Sequence, residues 1–221
     1  MRAEPDAVVG DELSPVSLVE LAVRRLRSEI LTGALAAGDR LVEEHLTRRF
    51  GISRAPLREA LRLLGQQGLV EHLPRRGVRV PELSARDVDE LFTLRDVLER
   101  FAMRTALPLR PGLTLDAPAA ELAVMDRAAA AGEMLEQAEA HRRFHLALVG
   151  LAEHQHLLQV YEPVILKLQL CMAVNLRREA QQRSPMDGVA RHRKLFAAVV
   201  DGRPELVLAE LANHGARRFL S

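Results

Sequence analysis

Tryptophan is absent, aromatic residues make up only 3% of the 221 positions, and the chain contains a single cysteine, Cys171. Because 48% of the residues are nonetheless apolar, the core has to be aliphatic, built from Leu, Val and Ala as helical bundles often are. One cysteine excludes an internal disulfide and fits a reducing compartment. No hydrophobic run approaches the roughly 18 residues that a membrane span requires. The acidic start Met1-Arg2-Ala3-Glu4-Pro5-Asp6 does not read as a signal peptide. The expectation is a soluble, cytoplasmic protein with no membrane partner. Lysine is nearly missing as well, with 2 Lys against 29 Arg, a bias that points to genome composition rather than to function.

The net charge of +1 is unevenly spread. Residues 17–80 hold twelve Arg against seven acidic residues, while residues 1–16 hold one Arg against four. A basic segment inside a near-neutral chain is the electrostatic footprint expected for binding a phosphate backbone.

The segment Gly51-Ile52-Ser53-Arg54-Ala55-Pro56-Leu57-Arg58-Glu59-Ala60-Leu61-Arg62 carries the most information. Ser53 is placed to cap a helix opening at Arg54, with Ile52 and Leu57 as a hydrophobic staple. Leu57, Ala60, Leu61 and Leu64 then form an apolar stripe, and Arg54, Arg58 and Arg62 recur every four residues on another face. A planar guanidinium donates two parallel hydrogen bonds, which suits guanine edges and phosphates. Upstream, residues 43–50 form a short helical run with Leu46 and Phe50, and Gly51 supplies the turn: helix-turn-helix spacing. Downstream, Leu69–His72 and Val78–Val80 alternate as strands around Pro74-Arg75-Arg76-Gly77, a hairpin with a cationic tip that reads as a wing. The candidate DNA-contacting set is Arg48, Ser53, Arg54, Arg58, Arg62, Arg75, Arg76 and Gly77.

Residues 1–16, with two prolines and no periodicity, are expected to be a flexible arm. Val19, Ala22, Val23, Leu26 and Ile30 mark an amphipathic helix ending near Gly33, so a winged helix-turn-helix domain spans 17–82. Ser84-Ala85-Arg86-Asp87 resembles a capping box and opens an all-helical domain over 83–221. Breaks rich in Pro and Gly divide it into helices near 84–107, 117–131, 133–149, 154–181, 187–201 and 203–220. A bundle of this size can enclose a ligand cavity.

Six of the eight histidines fall in that domain. His141 and His145 lie four apart and project from one helix face, a standard way to offer two metal ligands. His192 and His214 sit on the last two predicted helices. Spacing leaves two readings open: convergence on a metal, or separate surface and core histidines. His154 and His156, two apart, cannot share a helix face and read as structural. Arg95 lies on the apolar stripe of Val88, Leu91, Leu98 and Ala102, where a charge needs a partner. Glu99 one turn on and an anionic ligand are equal candidates. Asn175 sits among Leu168, Cys171 and Met172, as a core hydrogen bonder or an effector contact.

From 17 to 220 the chain resembles transcription regulators of the GntR family whose effector domain is called FCD. The resemblance rests on Leu41, the run from Phe50 to Leu64, Gly68-Leu69-Val70 and Arg76-Gly77-Val78. It continues through Leu94-Arg95 with Glu99, Arg143-Phe144-His145, His192 and His214. It implies that Arg54 and Arg58 contact bases and phosphates, that Arg75-Arg76-Gly77 meets the minor groove, and that a homodimer binds a palindromic operator. It also implies a divalent metal held by an Asp and three histidines, completed by a small carboxylate effector; Arg95 and Asn175, read from their apolar surroundings, are the candidate effector contacts. His145, His192 and His214 match the family histidines in order, whereas His141 stands where the pattern has Asp. If His141 binds, four neutral imidazoles leave the metal its full charge, favouring a late divalent ion such as zinc or nickel and attracting an anion more strongly. If it swings away, the site is three-coordinate or empty.

The expected protein is therefore a ligand-responsive transcription regulator, a repressor rather than an activator, and not an enzyme. Two rivals stand beside it: a regulator that senses the metal itself, and a metalloenzyme using an open coordination position to activate water. Against the enzyme, no Asp or Glu stands in a motif beside the histidines as a general base.

Overall fold

A computed structural model describes residues 17–179 and 185–214 of the chain. The expected arm at 1–16 lies outside the described residues.

The first helix, α1 (Leu18–Leu31), starts at a full capping box in which Ser17 and Glu20 satisfy each other's backbone N–H groups, and it buries Ala22, Leu26, Ile30 and Leu31. After a short strand β1 (Arg40–Leu41) come α2 (Glu43–Phe50) and α3 (Arg54–Gln66), joined through Gly51 in the left-handed region at φ 65°. The wing follows as β2 (Glu71–Leu73) and β3 (Gly77–Arg79), with β3 central in an antiparallel sheet ordered β1-β3-β2. Helix α3 ends in a Schellman motif: Leu69 N–H bonds the Leu64 carbonyl and Gly68 N–H that of Gly65. Gly68 adopts φ 73° there, and Leu64 and Leu69 close the motif inside the head core.

Three local expectations need correction. Ser53 occupies the N-cap with extended backbone, but its hydroxyl makes no capping bond. The third helical residue is Pro56, which has no N–H to donate. The helix start is held by the staple instead, with Leu57 fully buried and Ile52 packed on the same core. The wing strands lie at 71–73 and 77–79, because Leu69 is used in closing α3. Strand β1 was not expected, since two residues show no alternation and pair only because β3 is brought to them.

Among the described residues six helices follow in the expected order: α4 (Ala85–Ala106), α5 (Asp116–Ala131), α6 (Met134–Gly150), α7 (Gln155–Glu179), α8 (Pro185–Asp201) and α9 (Pro204–His214). Ser84 and Asp87 form the expected capping box of α4. The bundle core is aliphatic apart from Phe144 and Tyr161 among its fully buried side chains. The head core of Leu26, Ile30, Leu57, Leu61 and Leu64 also takes in Leu166 and Leu170 from α7. Among the described residues, no helix is long and apolar enough to cross a membrane.

Candidate functional site

The head presents its cations outward. Arg54, Arg58 and Arg62 are exposed on α3 with Ser53 at its start, and Arg75, Arg76 and Gly77 are exposed at the wing tip. Two α3 cations are paired within the protein: Arg58 Nε donates to both oxygens of Glu43 at 2.9 and 3.1 Å, and Arg62 donates to Glu59 at 2.7 and 2.9 Å. Arg48 lies 3.5 Å from Glu44. Exposed pairs of this kind hold their partners by no more than about 1 kcal/mol, so they can be exchanged for phosphates. The Arg62–Glu59 spacing is visible in the sequence, whereas Arg58–Glu43 joins two helices and is not. The wing tip is a tight turn in which Arg76 N–H bonds the Leu73 carbonyl at 3.0 Å. It forces Arg75 to φ 60°, a conformation that favours glycine.

The second constellation lies inside the bundle. His141 and His145 on α6 and His192 on α8 are all buried, and their candidate ligand nitrogens lie within 4.8 Å of one another. The rings stand edge to face, with centroids 4.7 to 5.2 Å apart. Two of the orientations have a visible cause. His192 Nδ1 donates to the Gly188 carbonyl at 2.7 Å, which leaves its Nε2 lone pair facing His145 Nε2 at 3.2 Å. His145 Nδ1 faces the Glu99 carboxylate at 3.0 Å, so its Nε2 also points inward. A carboxylate or carbonyl behind the imidazole is the arrangement that sets the tautomer of a metal-binding histidine.

Burial keeps all three rings neutral. Desolvation, then the neighbouring histidines and Arg95, holds His141 well below the ordinary imidazole value; desolvation and then Arg95 do the same to His145. Desolvation pushes His192 down to about 3, against the opposing pull of the Gly188 carbonyl. A metal binds deprotonated ligands, and these rings already are. The donor set therefore fits a divalent late transition metal.

Arg95 was an even choice between a Glu99 pair and an anionic ligand. The pair forms, with Arg95 Nε donating to Glu99 Oε1 at 2.8 Å. The same oxygen accepts from the Tyr161 hydroxyl at 2.5 Å. Burial first, and then the Glu99 charge, raises Tyr161 well above its ordinary value, so it remains a donor. The outer Arg95 nitrogen reaches His145 Nε2 at 2.9 Å, inside the histidine pocket. Glu99 thus anchors three groups, a role that sequence reasoning assigned only as the partner of Arg95. Tyr161 was missed, and its partner lies 62 positions away. His214 is the last residue of α9 and Asn175 lies on α7; both side chains fall outside the described residues. His154 is structural as expected, its Nδ1 accepting the Leu157 N–H at the start of α7.

A winged head with an exposed basic helix, joined to a helical bundle with a buried histidine cluster, defines a DNA-binding transcription regulator with a second, helical domain. The comparisons agree. Residues 18–80 match the family described as bacterial regulatory proteins, gntR family, and residues 90–217 match the FCD domain. The chain belongs to the GntR family, in the group that carries an FCD domain; the family consists of transcription regulators and not enzymes. It is 33% identical over 159 residues to an HTH-type transcriptional regulator of Agrobacterium vitis from the TAR-I ttuE-ttuC' intergenic region, covering 68% of this chain and 90% of the relative. It is 30% identical over 189 residues to a Paenarthrobacter nicotinovorans protein named a probable D-xylose utilization operon transcriptional repressor, covering 85% of this chain and 81% of the relative. Among solved structures, E. coli McbR/YncC superposes with a TM-score of 0.70 at 26% identity, covering 92% of this chain and 96% of that one.

Proposed function

We propose that this protein is a cytoplasmic repressor that binds a palindromic operator as a homodimer and releases it when a small carboxylate enters the helical domain. In this reading residues 17–82 hold the DNA, with Arg54, Arg58 and the Arg75-Arg76 wing making the contacts, while residues 83–221 sense the ligand. The observation that carries it is the convergence of three neutral, buried imidazoles beside the guanidinium of Arg95. His141, His145 and His192 would hold a zinc or nickel ion, with His214 as the further candidate from α9. When bound, such an ion supplies a positive centre for a carboxylate.

The chain's own residues do the rest. Gly188 and Glu99 orient His192 and His145, and Tyr161 keeps Glu99 in place. Arg95, held through its Nε, has its outer nitrogen on His145 Nε2, and it would exchange that contact for the metal-bound carboxylate. For dimerisation the reading uses α4, whose Leu94, Val97 and Phe101 are 41, 57 and 49% exposed at helical spacing. A contiguous apolar stripe of this kind suits burial against a second copy. Regulation then requires the ligand to bind the two head arrangements unequally.

The test is elemental mass spectrometry of wild type beside His145→Ala. About one late divalent ion per chain, lost in the variant, supports the reading. No metal in either protein would make the histidines core residues and point to a metal-free pocket.

A further inference from the structure

The head is joined to the bundle through more than a connecting segment. Leu166 and Leu170 of α7 are buried in the head core, with Leu135 of α6 packed against it, while Tyr161 and Ile165 of the same α7 belong to the bundle core. One helix serves two cores. Alongside this apolar seam runs a chain of charges that crosses from head to bundle. Arg27 Nε of α1 lies 3.3 Å from Glu139 Oε1 of α6. The other Glu139 oxygen accepts from Arg142 at 3.0 and 3.2 Å, and Arg142 reaches on to Glu162 of α7 at 3.7 Å.

These charges are shielded from solvent. The side chains of Arg27, Glu139 and Arg142 are 23, 17 and 11% exposed, so bulk salt screens their attraction only weakly. Arg27 Nε is fully buried and faces the carboxylate without a hydrogen bond of good geometry. Its main compensation is the Glu139 charge, with Glu162 adding to it and Arg142 opposing it, so removing Glu139 leaves a buried donor without its nearest carboxylate. The placement along α6 matters equally. Arg142 directly follows His141, and Glu139 precedes it by two positions. A helix moves as a rigid rod over such a distance, so any shift or rotation that adjusts His141 and His145 around a ligand displaces Glu139 and Arg142 as well.

We infer that Arg27, Glu139 and Arg142 form a charge latch that docks the DNA head on the sensor bundle and passes movement of α6 at the histidine pocket to α1. The docking half stands on these contacts alone. The transmission half rests on the reading of the histidine pocket as a ligand site.

Hydrogen exchange of the full chain, followed by mass spectrometry, tests both halves. Without metal, Glu139→Gln keeps the side-chain size, removes the charge, and should speed exchange of the α1 amides about tenfold. Exchange in α5 and α8 should remain as in wild type. Arg27→Gln should do the same if Glu139→Gln fails to fold, while the surface variant Arg110→Gln should change nothing in α1. Unaltered α1 exchange in both latch variants overturns the docking. Zinc ions alone then serve as the pocket probe. In wild type, zinc should slow exchange in α6 and α8 and also shift α1, and Glu139→Gln should keep the first response and lose the second. An α1 response that survives in Glu139→Gln, or is missing from wild type while α6 and α8 respond, overturns the transmission. Absence of any response in α6 and α8 counts instead against the metal reading, and the metal-free comparison still decides the docking.

Discussion

Replacing Glu99 by leucine would leave the Arg95 guanidinium buried without its carboxylate. The two side chains are 6 and 8% exposed and meet at 2.8 Å, so water cannot take the carboxylate's place. One-sided removal of a buried ion pair costs about 3–5 kcal/mol, because the remaining charge is desolvated and uncompensated. Two further donors lose their acceptor: the Tyr161 hydroxyl and His145 Nδ1. Each orphaned group adds about 1–3 kcal/mol when it finds no other partner. The second substitution gives the sharper test. Arg95→Met should destabilise wild type by stranding Glu99, yet stabilise the Glu99→Leu background by removing the stranded cation. Adding Tyr161→Phe to that double variant should recover the hydroxyl's share. Urea unfolding of the four-member cycle and of the triple variant, in chelator, measures these signs. An Arg95→Met effect of the same sign in both backgrounds, or a Glu99→Leu cost below about 1 kcal/mol, would refute the view that this pair anchors the pocket.

Three other outcomes are expected. Arg75→Gly removes a left-handed non-glycine residue and should raise stability by about 1 kcal/mol while weakening operator binding; a lower melting temperature would show that the turn is unstrained. In chelated protein, His141, His145 and His192 stay neutral when folded but take up protons below about pH 6.5 when unfolded. Because the unfolded state binds more protons there, stability should be full above pH 6.5 and fall steadily as pH drops toward 4; a melting temperature flat over that range contradicts the buried pocket. If the proposed dimer forms through α4, Val97→Glu on its exposed stripe should convert a wild-type dimer to monomer in sedimentation equilibrium; a dimeric variant would place the interface elsewhere, and a monomeric wild type would refute the dimer.

The elements were legible because their signals are local. Helix α1 has apolar residues at helical spacing and α4 has its serine cap; Gly51 marks a turn that only a left-handed residue makes easily. The i, i+4 relation of His141 and His145, and that of Arg95 and Glu99, follows from the pitch of one helix and needs no other part of the chain. Pro56 had already removed one of the two N–H groups that Ser53 could have capped. Other features are set through space, between residues far apart in the chain. Strand β1 exists only because β3 lies beside it, and Glu43 meets Arg58 across two helices. His192 joins the other two histidines, and Tyr161 reaches Glu99, only because the bundle core packs α4, α6, α7 and α8 in one arrangement. Periodicity states which face of each helix turns inward; it does not state which neighbour that face will meet. The sequence by itself therefore determined the family of the protein, its helices and its cationic head, while the tertiary packing decided which charges are paired, which histidines converge, and how the head is docked on the helical bundle.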